Sequence, residues 1–169
     1  MSSRDSRVDR AWSVLDGVLD PEVPVLSVID LGIVRDVVEI GPGLEVVVTP
    51  TYSGCPATEV IEQSIVEALD AAGLGPVVVR LRRAPAWTTD WMSDAGRQKL
   101  RAYGISPPGP VDESRGTPIR FARRAPPALA CPRCASADTE RLAAFGATAC
   151  KALWRCRACG EPFEHFKPI

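Results

Sequence analysis

Two Cys-x-x-Cys pairs, Cys131-Pro-Arg-Cys134 and Cys156-Arg-Ala-Cys159, are separated by 21 residues in the last quarter of the chain. Two residues between thiols let a tight turn aim both sulfurs at one ion, and the separation matches four-thiolate zinc ribbons. Pro132 stiffens the first turn, and Gly160 follows the second pair, where a positive φ is often required. The segment 131–169 holds one Trp and three Phe, too little apolar surface to fold by burial alone. Zinc binding contributes roughly 10–16 kcal/mol in small finger peptides. The pattern therefore predicts a structural zinc on Cys131, Cys134, Cys156 and Cys159. Four thiolates leave no open position for water, which argues against a hydrolytic zinc. Redox-active dithiols are the competing reading, but neither pair lies in a thioredoxin-like βαβ context. Cys150 reads as a small buried ribbon residue, and His165, beside Phe163 and Phe166, as a packing or surface residue.

Ahead of this module the pattern changes. Val8, Trp12, Leu15, Val18 and Leu19 recur at helical spacing, predicting an amphipathic helix over 7–19 closed by the Pro21 and Pro24 turn. The Val- and Ile-rich runs 33–40 and 44–51 flank Gly41-Pro42-Gly43, a β-hairpin signature. Val60, Ile61, Ile65, Ala68, Leu69 and Ala72 mark a second helix that begins at Pro56 and stops at Gly73. A third strand follows at 76–82, then a helix over 89–103. The order α-β-β-α-β-α predicts a small two-layer α/β (α+β) domain over 1–104 with a hairpin-containing mixed sheet. Residues 105–130, with six prolines, read as a semi-extended linker, and 131–169 form the ribbon.

Net charge is −1 over 169 residues, but residues 1–79 carry 4 basic and 13 acidic side chains and residues 80–130 carry 10 and 4. The acidic front half argues against nucleic acid as its partner, while the basic middle suits an acidic protein surface or is simply a solvated face. No apolar run approaches the roughly 20 residues a membrane span needs, and the N-terminal residues lack a secretory pattern. A cytoplasmic location is expected, where six cysteines are better read as metal ligands or reactive thiols than as disulfides.

The remaining cysteine, Cys55, falls in Thr49–Glu59, TPTYSGCPATE, where a strand gives way to a helix. At a helix cap the unpaired N–H groups and the positive dipole end favour a thiolate. Such a sulfur suits a nucleophile, a persulfide carrier or an iron ligand. The front domain has no histidine, so the usual Cys-His pairing of acyl-transfer enzymes is missing. Asp20, Glu22 and Asp30 could assist metal or proton chemistry, or serve as turn and cap residues. Residue chemistry alone leaves Cys55 open between core and function.

The stretches LDPEVPVLSVIDLGIV and TYSGCPAT resemble the iron–sulfur assembly domain of cluster-maturation proteins. PAWTTDWMSDAGRQKLRAYGISPP and FGATACKALWRCRACGEPFEHFK narrow the likeness to the D-component family of the phenylacetyl-CoA epoxidase system. The resemblance implies an accessory protein of aerobic phenylacetate degradation, with no catalytic residue of its own, that helps mature the metal centres of the complex. It implies Cys55 as an iron or cluster ligand, with Asp20, Glu22 and Asp30 at the family's acidic positions. Other epoxidase proteins, above all the iron–sulfur flavin reductase, are the implied partners, and transient iron or an iron–sulfur cluster the implied cargo. A homodimer sharing one cluster between two Cys55 thiolates is compatible with it. A non-catalytic structural member of the complex and a nucleic-acid-binding ribbon are the alternatives. The chain departs from the family in carrying Pro168-Ile169 where a Cys-Ile end is expected, which removes a soft ligand.

Overall fold

The computed structural model describes residues 6–52, 57–111 and 128–169. The chain divides into two compact units, Met1–Gly96 and Arg97–Ile169. No helix among the described residues is long and apolar enough to cross a membrane.

In the first unit α1 (Arg7–Leu15) begins at a capping box in which Ser6 and Asp9 exchange side-chain and backbone hydrogen bonds. It stops short of the expected residue 19. Asp16 caps it, Val18 stays buried in the following turn, and Leu19 is half-exposed and bridges to Ser27. The apolar spacing runs on past the helix because that turn, too, buries alternate residues.

The hairpin β1 (Val34–Ile40) and β2 (Gly43–Val48) turns at Gly41-Pro42, with Ile40 opposite Gly43. Helix α2 (Ala57–Ala71) returns the chain to β3 (Val77–Leu81), which pairs parallel to β2 in the order β1-β2-β3. Leu44, Val46, Val47 and Val48 are all buried, as befits the central strand. Helix α2 buries Ala57, Ile61, Ile65 and Leu69, whereas Val60, which the spacing also placed on the apolar side, is half-exposed. Helix α1 packs on α2 and β1, and α2 on β3. The result is the expected mixed-sheet α+β architecture.

The helix expected over 89–103 is two elements. A 3-10 turn, Thr89–Trp91, is followed by α3 (Asp94–Tyr103). Between them Ser93 donates its N–H to the Asp30 carbonyl and caps Gly96 N–H with its hydroxyl. The division between units falls inside α3, after Gly96.

The second unit is a four-stranded sheet, β4-β7-β6-β5. Strands β5 (Thr139–Ala143), β6 (Lys151–Cys156) and β7 (Pro162–Phe166) form an antiparallel meander. The two-residue β4 (Ile105–Ser106) pairs parallel to β7 and covers its open edge. The sequence reading assigns 105–106 to the linker, because two residues carry no periodicity. Residues 112–127 of that linker lie outside the described residues.

Candidate metal centre

The sulfurs of Cys131, Cys134, Cys156 and Cys159 all lie within 4.8 Å of one another, the only group of three or more such ligands among the described residues. Cys131 and Cys159 sulfurs are 3.9 Å apart, Cys134 and Cys156 3.5 Å. Zinc–thiolate bonds of about 2.3 Å in a tetrahedron place sulfurs about 3.8 Å apart, so this donor set fits one tetrahedral ion.

Two copies of one backbone device produce the cluster. In the first, Ala135 N–H donates to Cys131 O and Cys131 N–H to Ser136 O, both at 2.9 Å. In the second, Gly160 N–H donates to Cys156 O and Cys156 N–H to Glu161 O, again at 2.9 Å. Each loop needs a left-handed residue just after its second cysteine. Gly160 takes φ 77° at little cost, while Ala135 takes φ 61° with a Cβ present. The Arg133–Glu161 ion pair, at 2.7 Å, joins the two loops.

Cys131 and Cys156 are buried in a cluster with Ala152, Trp154 and Phe163, against which Leu129 packs, whereas Cys134 and Cys159 are exposed. The protons of the cluster are shared unevenly. The Cys159 amide, outweighing burial, draws Cys156 down to about 7 with help from Cys134 and the Ala158 amide. The Ser136 amide favours a Cys134 thiolate, yet the neighbouring sulfurs, Cys156 first, and desolvation push Cys134 up to about 12. A divalent cation relieves this crowding by replacing the protons.

His165 is buried, with Nδ1 3.2 Å from the Ser106 carbonyl oxygen, so Nδ1 carries the proton and donates. Its ring meets Trp154 edge-on at 6.2 Å. Burial lowers its pKa, partly countered by the Ser106 bond. Cys150 is buried too, with Thr148 Oγ1 3.0 Å from its sulfur. Neither joins the four-sulfur group.

In the first unit Asp20 and Asp30 are buried and hold turns. Asp20 Oδ1 accepts from Glu22 N–H at 2.9 Å and Val23 N–H at 2.7 Å. Asp30 Oδ2 accepts from Ser27 N–H at 3.1 Å, Ser27 Oγ accepts from Asp30 N–H at 3.0 Å, and Ser93 Oγ donates to Asp30 Oδ1 at 3.0 Å. Glu22 is half-buried. These three acids form no metal-type group among the described residues, and Cys55 lies outside those residues. The Ser27-x-x-Asp30 spacing is itself a capping-box signature; Ser93, distant in sequence, left no signal. Ala135 stood at the same offset from its cysteine pair as Gly160, a correspondence readable from the sequence.

The fold and this cluster define a class: a small α+β domain with a mixed sheet followed by a four-cysteine ribbon. The model of the iron–sulfur cluster assembly protein family matches residues 9–80, and that of the PaaD zinc beta ribbon domain residues 115–167. A protein of Escherichia coli (strain K12), provisionally named as the D component of 1,2-phenylacetyl-CoA epoxidase, is 49% identical over 163 residues, 96% of this chain and 94% of the relative. The chain belongs to that family of epoxidase D components. Among solved structures, a DUF59 domain of unknown function from Bacillus anthracis shares the fold, with TM-score 0.52 at 23% identity over 57% of this chain and 92% of that one. A conserved hypothetical protein of Thermotoga maritima matches at TM-score 0.45 and 29% identity over 59% of this chain and 94% of its own.

Proposed function

We propose that this protein is an accessory factor of a phenylacetyl-CoA epoxidase, working in the cytoplasm, that assembles or delivers iron or an iron–sulfur cluster to the reductase or oxygenase. The match of residues 9–80, which include Cys55, to the iron–sulfur cluster assembly family carries the reading. The near full-length likeness to an epoxidase D component supports the choice of client system. Zinc on Cys131, Cys134, Cys156 and Cys159 is structural: four thiolates saturate the ion, and it supplies folding free energy to a ribbon with a small core.

In this reading Cys55, two positions before Ala57 in the sequence, holds the iron cargo as a thiolate. Transfer is ligand exchange: the iron–sulfur bond to Cys55 breaks as a client cysteine thiolate forms its own, with no net electron transfer. Asp20 and Asp30 fix the turns of the first unit through hydrogen bonds to backbone N–H groups. The test is co-expression of the epoxidase system with wild-type protein or Cys55→Ser, followed by measurement of iron and acid-labile sulfide in the purified reductase and oxygenase. Iron, together with acid-labile sulfide where the cargo is a cluster, is expected to fall in at least one client with the variant; full occupancy in every client would sink the delivery role.

A further inference from the structure

The end of the β5–β6 hairpin presents apolar side chains on a scaffold built to hold them out. A bulge between Arg141 and Ala143 turns Leu142 away from the ladder, leaving it 49% exposed, and Phe145 is 66% exposed. Isolated exposed apolar residues are ordinary, but this loop is tied down at three points. Gly146 N–H donates to Lys151 O at 2.7 Å, Ala147 N–H to Glu164 Oε1 at 2.9 Å, and Lys167 Nζ to Ala144 O at 3.2 Å.

Behind it, Lys151 is buried and pairs with Glu164 at 2.7 Å. A Cβ on residue 146 would come within 2.7 Å of Glu164 Oε1, so a larger residue there would have to displace the carboxylate that also holds Ala147 and Lys151. The anchoring holds Leu142 and Phe145 out.

The charges around the tip select its partner. Arg155 and Arg157 share Glu140, with Asp138 adding a second negative charge beside Arg157, while Glu161 offsets Arg133 and Glu164 offsets Lys151. Among the described residues that leaves Arg141 and Lys167 flanking the tip, with the Lys167 ammonium 4.3 Å from the centre of the Phe145 ring. A nucleic-acid backbone is tracked by many unpaired cations; two beside an aliphatic and an aromatic side chain instead match a protein surface, apolar at its centre and acidic at its rim.

We propose that Leu142 and Phe145, flanked by Arg141 and Lys167, form the knob by which the ribbon docks a carboxylate-rimmed apolar socket on another protein of the epoxidase system. This rests on the accessory-protein reading above. Zinc-loaded full-length protein is titrated against the purified reductase and, separately, the purified oxygenase, by calorimetry at two salt concentrations. Leu142→Ser combined with Phe145→Ser is expected to weaken binding to one of them by about tenfold or more. Lys167→Glu is expected to weaken it further at low salt than at high, and Phe145→Leu to retain most of it. Unchanged zinc content and thermal transition show that the variants fold.

Wild-type affinity in the folded double variant overturns the docking proposal and leaves the accessory reading standing. Failure of the wild type to bind either protein overturns both. Two further results overturn the docking proposal alone: a DNA or RNA oligonucleotide bound through Phe145, or a concentration-dependent dimer that the double variant abolishes.

Discussion

Leu15, Leu26, Val28, Leu44, Val46, Ile65 and Leu69 of the first unit are essentially inaccessible to solvent and come from two helices, a strand and the turns between them. One buried cluster of the second unit consists of Cys131, Ala152, Trp154, Cys156 and Phe163. Two of those five are candidate metal ligands. Stability in the first unit is thus spread over many apolar contacts, each replaceable at moderate cost. In the second it is concentrated where four sulfurs meet, and the strands around them carry paired charges such as Lys151–Glu164 and Glu140–Arg155 rather than a deep apolar layer.

The largest effect expected from this contrast is metal removal. Chelation should forfeit on the order of 10–16 kcal/mol of binding free energy, and Cys156→Ser a part of it; chelation should unfold the second unit while amides of the first stay protected from hydrogen exchange. Simultaneous loss of protection in both units would erase the distinction. Next comes Leu69→Ala, in the inaccessible face of α2, which should destabilise the first unit by about 2–5 kcal/mol in urea unfolding with zinc stoichiometry unaltered.

A smaller change, and one of opposite sign, is expected at the first cysteine loop. Ala135→Gly relieves the positive φ and should stabilise the zinc-bound ribbon by about 0.5–1 kcal/mol, read as a severalfold gain in competition with a chromogenic chelator. The smallest concerns His165, whose pKa burial lowers. The unfolded chain then binds the proton more readily than the folded one, so this contribution is complete above the unfolded value of about 6.5 and is lost as pH falls through it. Stability of the second unit should decline between pH 7.5 and 6, and His165→Gln should flatten that decline.

The elements most accessible to a reading of the chain were those encoded within a few residues. Cys-x-x-Cys is a local turn, and its two copies sufficed to foresee a cluster whose sulfurs lie within 4.8 Å. Helix α2 and the Gly41-Pro42 hairpin were foreseeable for the same reason, since a helix face and a two-residue turn are short-range patterns. Cys55 stays where the family likeness put it, as a proposed ligand, because it lies outside the described residues.

What escaped the sequence involves partners far apart along it. Nothing near Ile105 announced that β4 would pair with β7, nor that the Ser106 carbonyl would accept a hydrogen bond from His165 across 59 positions. Asp30, whose local sequence favoured a turn and cap role over metal or proton chemistry, gave no sign that Ser93 would bond to it from 63 residues away. The bulge that exposes Leu142 and the buried pair that anchors Phe145 are likewise products of strand register. Spacing along a chain dictates local geometry because a turn or helix repeats every few residues; cross-strand neighbours and burial depend on how whole elements pack, which no single segment encodes.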